Sequence, residues 1–305
     1  MVTLVRAPNP SAMTLTGTNS YLVDCGRGEA LAIDPGPPIE RHVEAIEREA
    51  SARGLRIAAI ALTHGHPDHA PAAPMLAART GAPVYAHPDS AAPHDRDLAL
   101  EGELRVGDAA LRVIDAPGHT FDHVVFYLPA ERALFTGDVI LGEGTVVIAP
   151  PGGAMRPYQH TLQRLATEFS GARIVHGGHG PIVLDAQAKI AEYIAHRQMR
   201  EHELIDALAA GAQTIPELVL RIYGDDRPVL WPAMARQMLA YLIALENEGR
   251  IAATPLDRPM SDREGWILNP PLAQIVGEEH AAVIRAELGS MLRIDTLYAY
   301  RLTAA

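Results

Sequence analysis

The chain has 305 residues, a formal net charge of −11 and 48% hydrophobic residues. That apolar content supports a packed core and excludes an intrinsically disordered chain; the length suits one large domain with a small one, or two mid-sized domains. The acidic charge, with Lys189 the sole lysine among 26 basic residues, discourages nonspecific binding to nucleic acid.

The sequence also favours a cytoplasmic protein. No apolar run reaches the ~18 residues of a membrane helix, and residues 1–15 lack the apolar stretch of a secretion signal. Cys25 is the single cysteine and cannot form an internal disulfide, which fits a reducing compartment. We therefore expect neither secretion nor membrane association.

The first half of the chain predicts short strands separated by turns and helices. Apolar runs rich in β-branched residues are typical of buried strands, and they lie at residues 20–23, 30–33, 57–62, 83–86, 111–114, 123–128, 133–136 and 174–176. Helices are predicted at residues 38–53, 70–79 and 158–169. Strands that first pair through turns and then alternate with helices favour an α/β fold, an αββα sandwich.

A change of composition near residue 187 predicts a second, mostly helical region. Helical spacing of apolar residues is found at residues 186–210, 215–223 and 232–248. Gly249 ends the last of these helices, and a short strand-like segment follows. Helices followed by a glycine and a β segment have the order of a winged helix-turn-helix.

These patterns predict three parts of the chain. They are a first domain at residues 1–199, a winged-helix-like α+β domain at 200–255 and a C-terminal extension of unassigned role at 256–305. The extension predicts a helix at 276–288 and a strand at 297–302, and it is a candidate interface for a homodimer.

Residues 63–69 read Thr-His-Gly-His-Pro-Asp-His and follow a predicted strand directly. A tight turn at a strand end directs alternate side chains to one side, so His64 and His66 can converge on one ion while Asp68 and His69 reach a second. Imidazole and carboxylate are ligand types that zinc accepts, and iron or manganese also fits such a set. The segment predicts a metal site rather than a plain polar loop.

Three further candidates each follow a predicted strand and stand beside glycine. They are His119 in Pro-Gly-His-Thr, Asp138 in Thr-Gly-Asp and His179 in Gly-Gly-His-Gly. Glycine lets the backbone approach a metal closely. In series with residues 63–69, they strengthen the prediction of one metal centre.

This series of ligands resembles the metallo-β-lactamase superfamily over residues ~15–185. The resemblance implies an αββα sandwich with metals at one sheet edge. It implies that one metal is held by His64, His66 and His119, the other by Asp68, His69 and His179, with Asp138 bridging both. Aspartate at position 138 is similar to the hydrolase branches rather than to the antibiotic-degrading branch with a cysteine.

Four further segments lie at residues 17–23, 118–123, 136–145 and 193–201. They are similar to a branch of the superfamily with a C-terminal winged helix, over residues ~15–255. That branch contains a mitochondrial single-strand endoribonuclease and many bacterial relatives. The resemblance implies that Asn19 and Thr145 line the pocket. The chain departs from the branch at Ala154, where an acidic residue is usual, while Tyr158 is retained. The departure bears on substrate preference.

The predicted chemistry is hydrolysis at two metals, zinc being the first choice. Two metals about 3.5–4 Å apart activate a bridging water for attack on a carbonyl or phosphorus. The resemblance suggests that Asp138 bridges and that Asp68 orients the nucleophile. His123 either orients a ligand or is satisfied by backbone, and Tyr158 either hydrogen-bonds substrate or belongs to the core.

Three functions are compatible with these residues. The first is a dinuclear zinc hydrolase of a small ester, thioester or lactone; the second is a zinc-dependent endoribonuclease acting on single-stranded RNA. The third is a winged-helix DNA-binding regulator gated by metal. Residues 200–305 contain 10 Arg against 15 Asp and Glu, so strong binding to double-stranded DNA is not expected.

Overall fold

The computed structural model describes residues 1–211, 213–224, 228–269 and 296–303. The chain divides into two compact units. The first unit comprises Met1–Val146 and Thr161–Ala191, and the second comprises Val147–His160 and Glu192–Ala305. The domain boundaries expected from the sequence remain predictions.

The first sheet of the first unit has six strands in chain order. They are β1 (Val2–Arg6), β2 (Asn19–Asp24), β3 (Glu29–Ile33), β4 (Arg56–Ala61), β5 (Val84–Ala86) and β6 (Arg96–Asp97). The strands β1 to β3 pair antiparallel, and those from β3 to β6 pair parallel. The helices α1 (Glu40–Ala52) and α2 (Ala73–Thr80) make the crossovers, so β3 and β4 end at the same edge.

The second sheet has five strands, with the order β11-β10-β9-β8-β7. They are β7 (Glu103–Val106), β8 (Ala109–Asp115), β9 (Val124–Leu128), β10 (Ala133–Gly137) and β11 (Ile174–Gly177). Only the β10–β11 pair among these strands is parallel, and the helix α3 (Met155–Glu168) lies between them in the chain.

Alternate residues of the strands explain how the layers pack. Tyr21 and Ile33 of the first sheet share a buried cluster with Val113 and Phe126 of the second. Their chain neighbours, such as Leu22 and Ala32, instead pack with Ile46 of α1 and Leu76 of α2. This period of two is what a sheet buried on both faces requires.

Phe169, the residue that follows α3 in the chain, packs on the outer side of the second sheet. Its ring centroid lies 5.2 Å from that of Tyr127 in β9, and the Arg112 guanidinium of β8 stands 5.0 Å from it. The predicted αββα sandwich and α/β class are confirmed.

The second unit is mostly helical. Its described elements are the N-terminal part of α3, the C-terminal part of α4 (Ala186–Ala209), α5 (Ile215–Tyr223), a 3₁₀ turn (Pro228–Leu230), α6 (Trp231–Asn247), β12 (Ile251–Pro255), α7 (Asp262–Leu268) and β13 (Tyr298–Leu302). A capping box between Thr214 and Glu217 starts α5, and β12 pairs antiparallel with β13. The helix predicted at residues 276–288 lies outside the described residues. Across the ranges that the structure places, no helix combines the length and apolar character needed to cross a membrane.

The buried His176 in β11 is expected to make the stability of the fold sensitive to acid. Its ring stacks on Phe135 with centroids 4.8 Å apart, and neither ring nitrogen has a hydrogen-bond partner within the described ranges. Burial lowers the pKa of His176 from 6.5 to about 4. The unfolded chain therefore binds the proton more tightly, and this residue's contribution to stability falls as the pH drops from about 6.5 towards 4.

We expect His176→Phe to remove this dependence. Between pH 7 and pH 5 the wild type should lose about 2 kcal/mol more of its free energy of unfolding than the variant. Urea unfolding of the metal-free proteins at both pH values measures the difference. Equal losses in the two proteins would show that His176 is not buried in its neutral form.

Candidate metal centre

The seven predicted ligands come together where strands of both sheets end. The loop after β4 supplies four of them, the β8–β9 loop one, and the residues after β10 and β11 one each; in that order they are His64, His66, Asp68, His69, His119, Asp138 and His179. The parallel β3–β4 and β10–β11 pairs explain this placement, because the carboxyl ends of parallel strands meet at one edge.

The seven ligands form two groups at the same edge of the sandwich. In the first ligand group the side-chain donor atoms of His64, His66, His119 and Asp138 all lie within 4.8 Å of one another. In the second ligand group the same limit holds for Asp68, His69 and His179. The resemblance implied the same histidines in each group with Asp138 shared by both, and the assignment of metals to these groups stays a prediction.

Asp138 lies between the two groups and faces both of them. Its Oδ2 is 3.7 Å from Nε2 of His119, whereas its Oδ1 is 3.5 Å from Nε2 of His69 and 3.4 Å from Nε2 of His179. One carboxylate therefore offers an oxygen to each group, which is the arrangement that a bridging ligand needs.

The donor atoms that face the centre fit divalent cations. Nε2 of His64, Nε2 of His69 and Oδ1 of Asp138 are buried without a hydrogen-bond partner in the described part of the chain. Buried polar atoms are normally satisfied, so three unsatisfied ones among the residues of the two groups indicate ligand atoms. Imidazole nitrogen with carboxylate oxygen suits zinc and also iron or manganese.

Asp34, which the sequence analysis missed, orients histidines of both groups. Its Oδ2 lies 2.9 Å from Nδ1 of His69 and accepts from Oγ1 of Thr63 at 2.6 Å. Thr63 Oγ1 thus accepts from Nδ1 of His64, 3.0 Å away. Both histidines then carry their proton on Nδ1 and turn an Nε2 lone pair to the centre.

The backbone at Asp34 shows why this residue holds its place. It is buried with φ of 49°, a left-handed conformation that aspartate tolerates better than most residues. Its Oδ1 accepts from the backbone N–H of Thr63 at 2.7 Å. The available signal was the Asp-Pro-Gly that follows the predicted strand at residues 30–33.

Charge at the centre favours ionised carboxylates. Burial alone would raise the pKa of Asp68 and of Asp138, but the imidazoles of His69 and His179 hold both values well below their usual range. Burial alone would lower the pKa of His179, yet the same two carboxylates raise it to about 10. The carboxylates therefore stay negative. In the metal-free chain the His179 imidazolium supplies positive charge beside them, and a bound divalent cation would replace it and leave the His179 ring neutral.

His123 lies behind the ligands. Its Nε2 accepts from the backbone N–H of Asp138 at 3.1 Å, and its ring stacks on His64 with centroids 4.6 Å apart. Burial lowers its pKa to about 4, so it is a neutral support. The contact fits the expectation of a group that orients a ligand.

The sequence analysis also expected Tyr158, Asn19 and Thr145 to lie at the pocket. Tyr158 belongs to the second unit and is fully buried, with the Arg197 guanidinium 5.1 Å from its ring centroid. Asn19 is also fully buried and hydrogen-bonds backbone beside His179. Thr145 is half-buried in the loop after β10. A role of Tyr158 in contact with substrate remains a prediction.

Gly178 lies against two of the candidate ligands, and its lack of a side chain leaves room for them. A Cβ at this position would lie 2.3 Å from Oδ1 of Asp138 and 2.7 Å from Cε1 of His69. We expect Gly178→Ala to displace both ligands and to lower bound metal well below the wild-type content, since either neighbour must move. Metal analysis tests this, with Gly265→Ala in α7, where an added Cβ meets nothing within 4 Å, as control; full metal content in Gly178→Ala would contradict it.

The family of the chain follows from comparison with known proteins. Residues 13–179 match the family model for the metallo-beta-lactamase superfamily. The chain belongs to the metallo-β-lactamase superfamily. Residues 214–258 match a beta-lactamase associated winged helix domain, which confirms the winged helix expected in the C-terminal part.

Relatives within the superfamily cover most of the chain. Lactamase-like protein adaB of Aspergillus niger is 32% identical over 288 residues, 88% of this chain and 86% of its own length. Atrochrysone carboxyl ACP thioesterase of Aspergillus chevalieri is 31% identical over 264 residues, 82% of each chain. The chain is thus a metallo-β-lactamase-fold hydrolase.

Solved structures share the fold. A metallo-beta-lactamase family protein from Thermus thermophilus has a TM-score of 0.69 at 24% identity, over 83% of this chain and 95% of its own. A beta-lactamase domain protein from Burkholderia ambifaria has a TM-score of 0.71 at 20% identity, over 84% and 90%. Both likenesses extend past the first domain of the family, because they cover more of the chain than residues 13–179.

Proposed function

We propose that this hydrolase uses two zinc ions to cleave a thioester or a related carbonyl substrate such as an ester or lactone. The observation that carries the proposal is Asp138, whose two oxygens face two separate ligand groups. Each group offers three donors of its own, and Asp138 stands between them. That number suits an ion that also keeps a position for substrate or water.

The choice of a carbonyl substrate is supported by two relatives. The proteins from Aspergillus chevalieri and Aspergillus fumigatus that are named atrochrysone carboxyl ACP thioesterase are 31% and 32% identical to this chain. The acidic net charge of −11 also suits a small substrate better than a polyanion. The single-stranded RNA and homodimer predictions gain no support from the comparisons and stay predictions.

Each residue at the site has a proposed role in holding zinc or in orienting the nucleophile. His64, His66 and His119 would hold one zinc, and Asp68, His69 and His179 the other, with Asp138 shared. When bound, zinc supplies Lewis acidity and lowers the pKa of water. Asp68 accepts from Thr18 Oγ1 through Oδ2 at 3.0 Å, which leaves its Oδ1 as the oxygen for orienting a nucleophile.

The hypothesis of a DNA-binding regulator requires α6, the candidate recognition helix, to expose residues that can contact DNA. The exposed residues of α6 are Ile243, Glu246 and Asn247. Its one basic residue, Arg236, is buried and donates to the backbone oxygen of Leu268. A recognition helix needs exposed donors towards base edges and phosphates. No basic residue of α6 is exposed, so this helix gives the regulator hypothesis no support.

Metal analysis joined to a substrate panel tests the proposal. The panel contains a thioester, an ester, a lactone, a phosphodiester reporter and labelled single-stranded RNA, each with zinc-loaded and chelator-stripped protein. We expect roughly two zinc ions per chain and turnover of the thioester that chelation abolishes and zinc restores. Cleavage of RNA with no carbonyl turnover would transfer the assignment to the endoribonuclease.

A further inference from the structure

Several hydrogen bonds join the start of strand β2 to residues of the second ligand group and to the backbone beside them. The segment Gly17-Thr18-Asn19, here called the β2 clamp, runs beside the Gly177–Gly180 backbone that carries His179. Thr18 and His179 form an isolated antiparallel β-bridge. The backbone N–H of Asn19 donates to the oxygen of Gly178 at 2.8 Å.

The Asn19 amide fixes the backbone on both sides of His179. Its Nδ2 donates to the oxygens of Gly177 and Gly180, each at 3.0 Å. Its Oδ1 accepts from Nε of Arg6 at 3.0 Å. Because the guanidinium can only donate and the carbonyls can only accept, the orientation of the amide is determined. Asn19 is fully buried, and its two bonds to the backbone around His179 are buried as well.

The other two clamp residues reach the ligands themselves. The oxygen of Gly17 lies 3.4 Å from Nδ1 of His179, so Nδ1 carries the proton and Nε2 is left for the centre. Thr18 Oγ1 donates to Oδ2 of Asp68 at 3.0 Å. That oxygen lies 3.2 Å from Nε2 of both His69 and His179.

The proton on Thr18 has a defined direction. The Asn9 side chain donates to Thr18 Oγ1 at 3.0 Å and accepts from the Thr18 backbone N–H at 2.9 Å. With one donor already directed at its oxygen, the hydroxyl turns its own hydrogen to the Asp68 carboxylate, which can only accept. The buried hydrogen bond to a charged group is of the stronger kind.

We propose that the β2 clamp is the positioning element of the second ligand group, and that Thr18 sets the Asp68 carboxylate for the ion held there. The inference rests on the proposed two-ion function. The hydrogen bonds given above join the clamp to Asp68 and His179, whereas His64 is oriented through Thr63 and Asp34. Loss of the Thr18 hydroxyl should therefore weaken one zinc site and spare the other.

The test is a zinc titration of the metal-free, full-length chain against a chromophoric chelator. Thr18→Val replaces the hydroxyl with a methyl group of similar size, Thr18→Ser keeps the hydroxyl, and Thr16→Val is the matched control at an exposed threonine. We expect the second zinc to bind about 10- to 100-fold more weakly in Thr18→Val, as for other partners of metal ligands. The first zinc should keep its affinity, and Thr18→Ser should restore the second.

The outcomes separate the inference from the function. Two zinc ions in the wild type with unchanged affinities in Thr18→Val would overturn the clamp alone, and so would equal weakening of both sites. A wild type that binds a single zinc would overturn the two-ion function and the clamp with it. If Thr18→Val does not fold, Thr18→Ala removes the same hydroxyl without placing a methyl group beside Asp68 and is titrated in its place.

Discussion

Replacing Asp138 with alanine is expected to abolish hydrolysis and to reduce zinc content together. The carboxylate is the one side chain whose oxygens face both ligand groups among the described ligands. The charge stabilisation that metal supplies is worth several kcal/mol, and about 1.4 kcal/mol is a factor of ten in rate. We therefore expect turnover to fall by about 10³-fold or more, measured with the thioester that the wild type cleaves best.

Two controls make the Asp138 result specific. Asp108→Ala removes an exposed carboxylate that pairs with Arg27, and it should leave zinc content and turnover unchanged. Asp138→Asn keeps the shape but lacks the negative charge, so intermediate metal loss is expected. An Asp138→Ala protein with two zinc ions and full turnover would exclude Asp138 as the bridging ligand.

Replacing Asp34 with alanine should have the largest effect on the metal-free fold. Three donors lose their acceptor at once: Thr63 N, Thr63 Oγ1 and Nδ1 of His69. A buried donor left unsatisfied costs about 1–3 kcal/mol, and alanine is also strained at the φ of 49°. We expect the free energy of unfolding to fall by about 3 kcal/mol or more.

Urea unfolding of the metal-free protein measures this loss without interference from bound ions. Asp34→Asn retains an acceptor oxygen and a residue that tolerates the left-handed backbone, so it should lose less. In both variants His69 loses the charged partner of its Nδ1, and zinc content should fall. Unchanged stability in Asp34→Ala would mean that the Asp34 contacts are not formed in solution.

Sequence reasoning could name candidate ligands because metal chemistry restricts residue types. Histidine and aspartate next to glycine at strand ends are recognisable one by one, as at His119 and Asp138. The residues that orient them are not, since Asp34, Thr18 and Asn19 act through contacts across 29 to 161 positions of the chain. Only the folded sheets bring such partners together.

The fold shows the same limit. The long buried strands and amphipathic helices were predicted, whereas β1, β6, β7 and α7 were not. The strand β6 consists of two exposed residues, and β7 alternates exposed and buried positions over only four. Segments this short carry too little periodicity to predict, and neighbouring strands determine their conformation.

Each ligand group draws on both sheets of the sandwich. His64 and His66 come from the first sheet and His119 and Asp138 from the second, while Asp68 and His69 face His179 across the same boundary. An ion held by either group thus cross-links the two layers, in a chain whose lone cysteine can form no internal disulfide. Such an ion binds only when the layers are packed, so it stabilises the folded state. Chelation should therefore lower the midpoint of thermal unfolding, and the size of this decrease should depend on the free metal concentration.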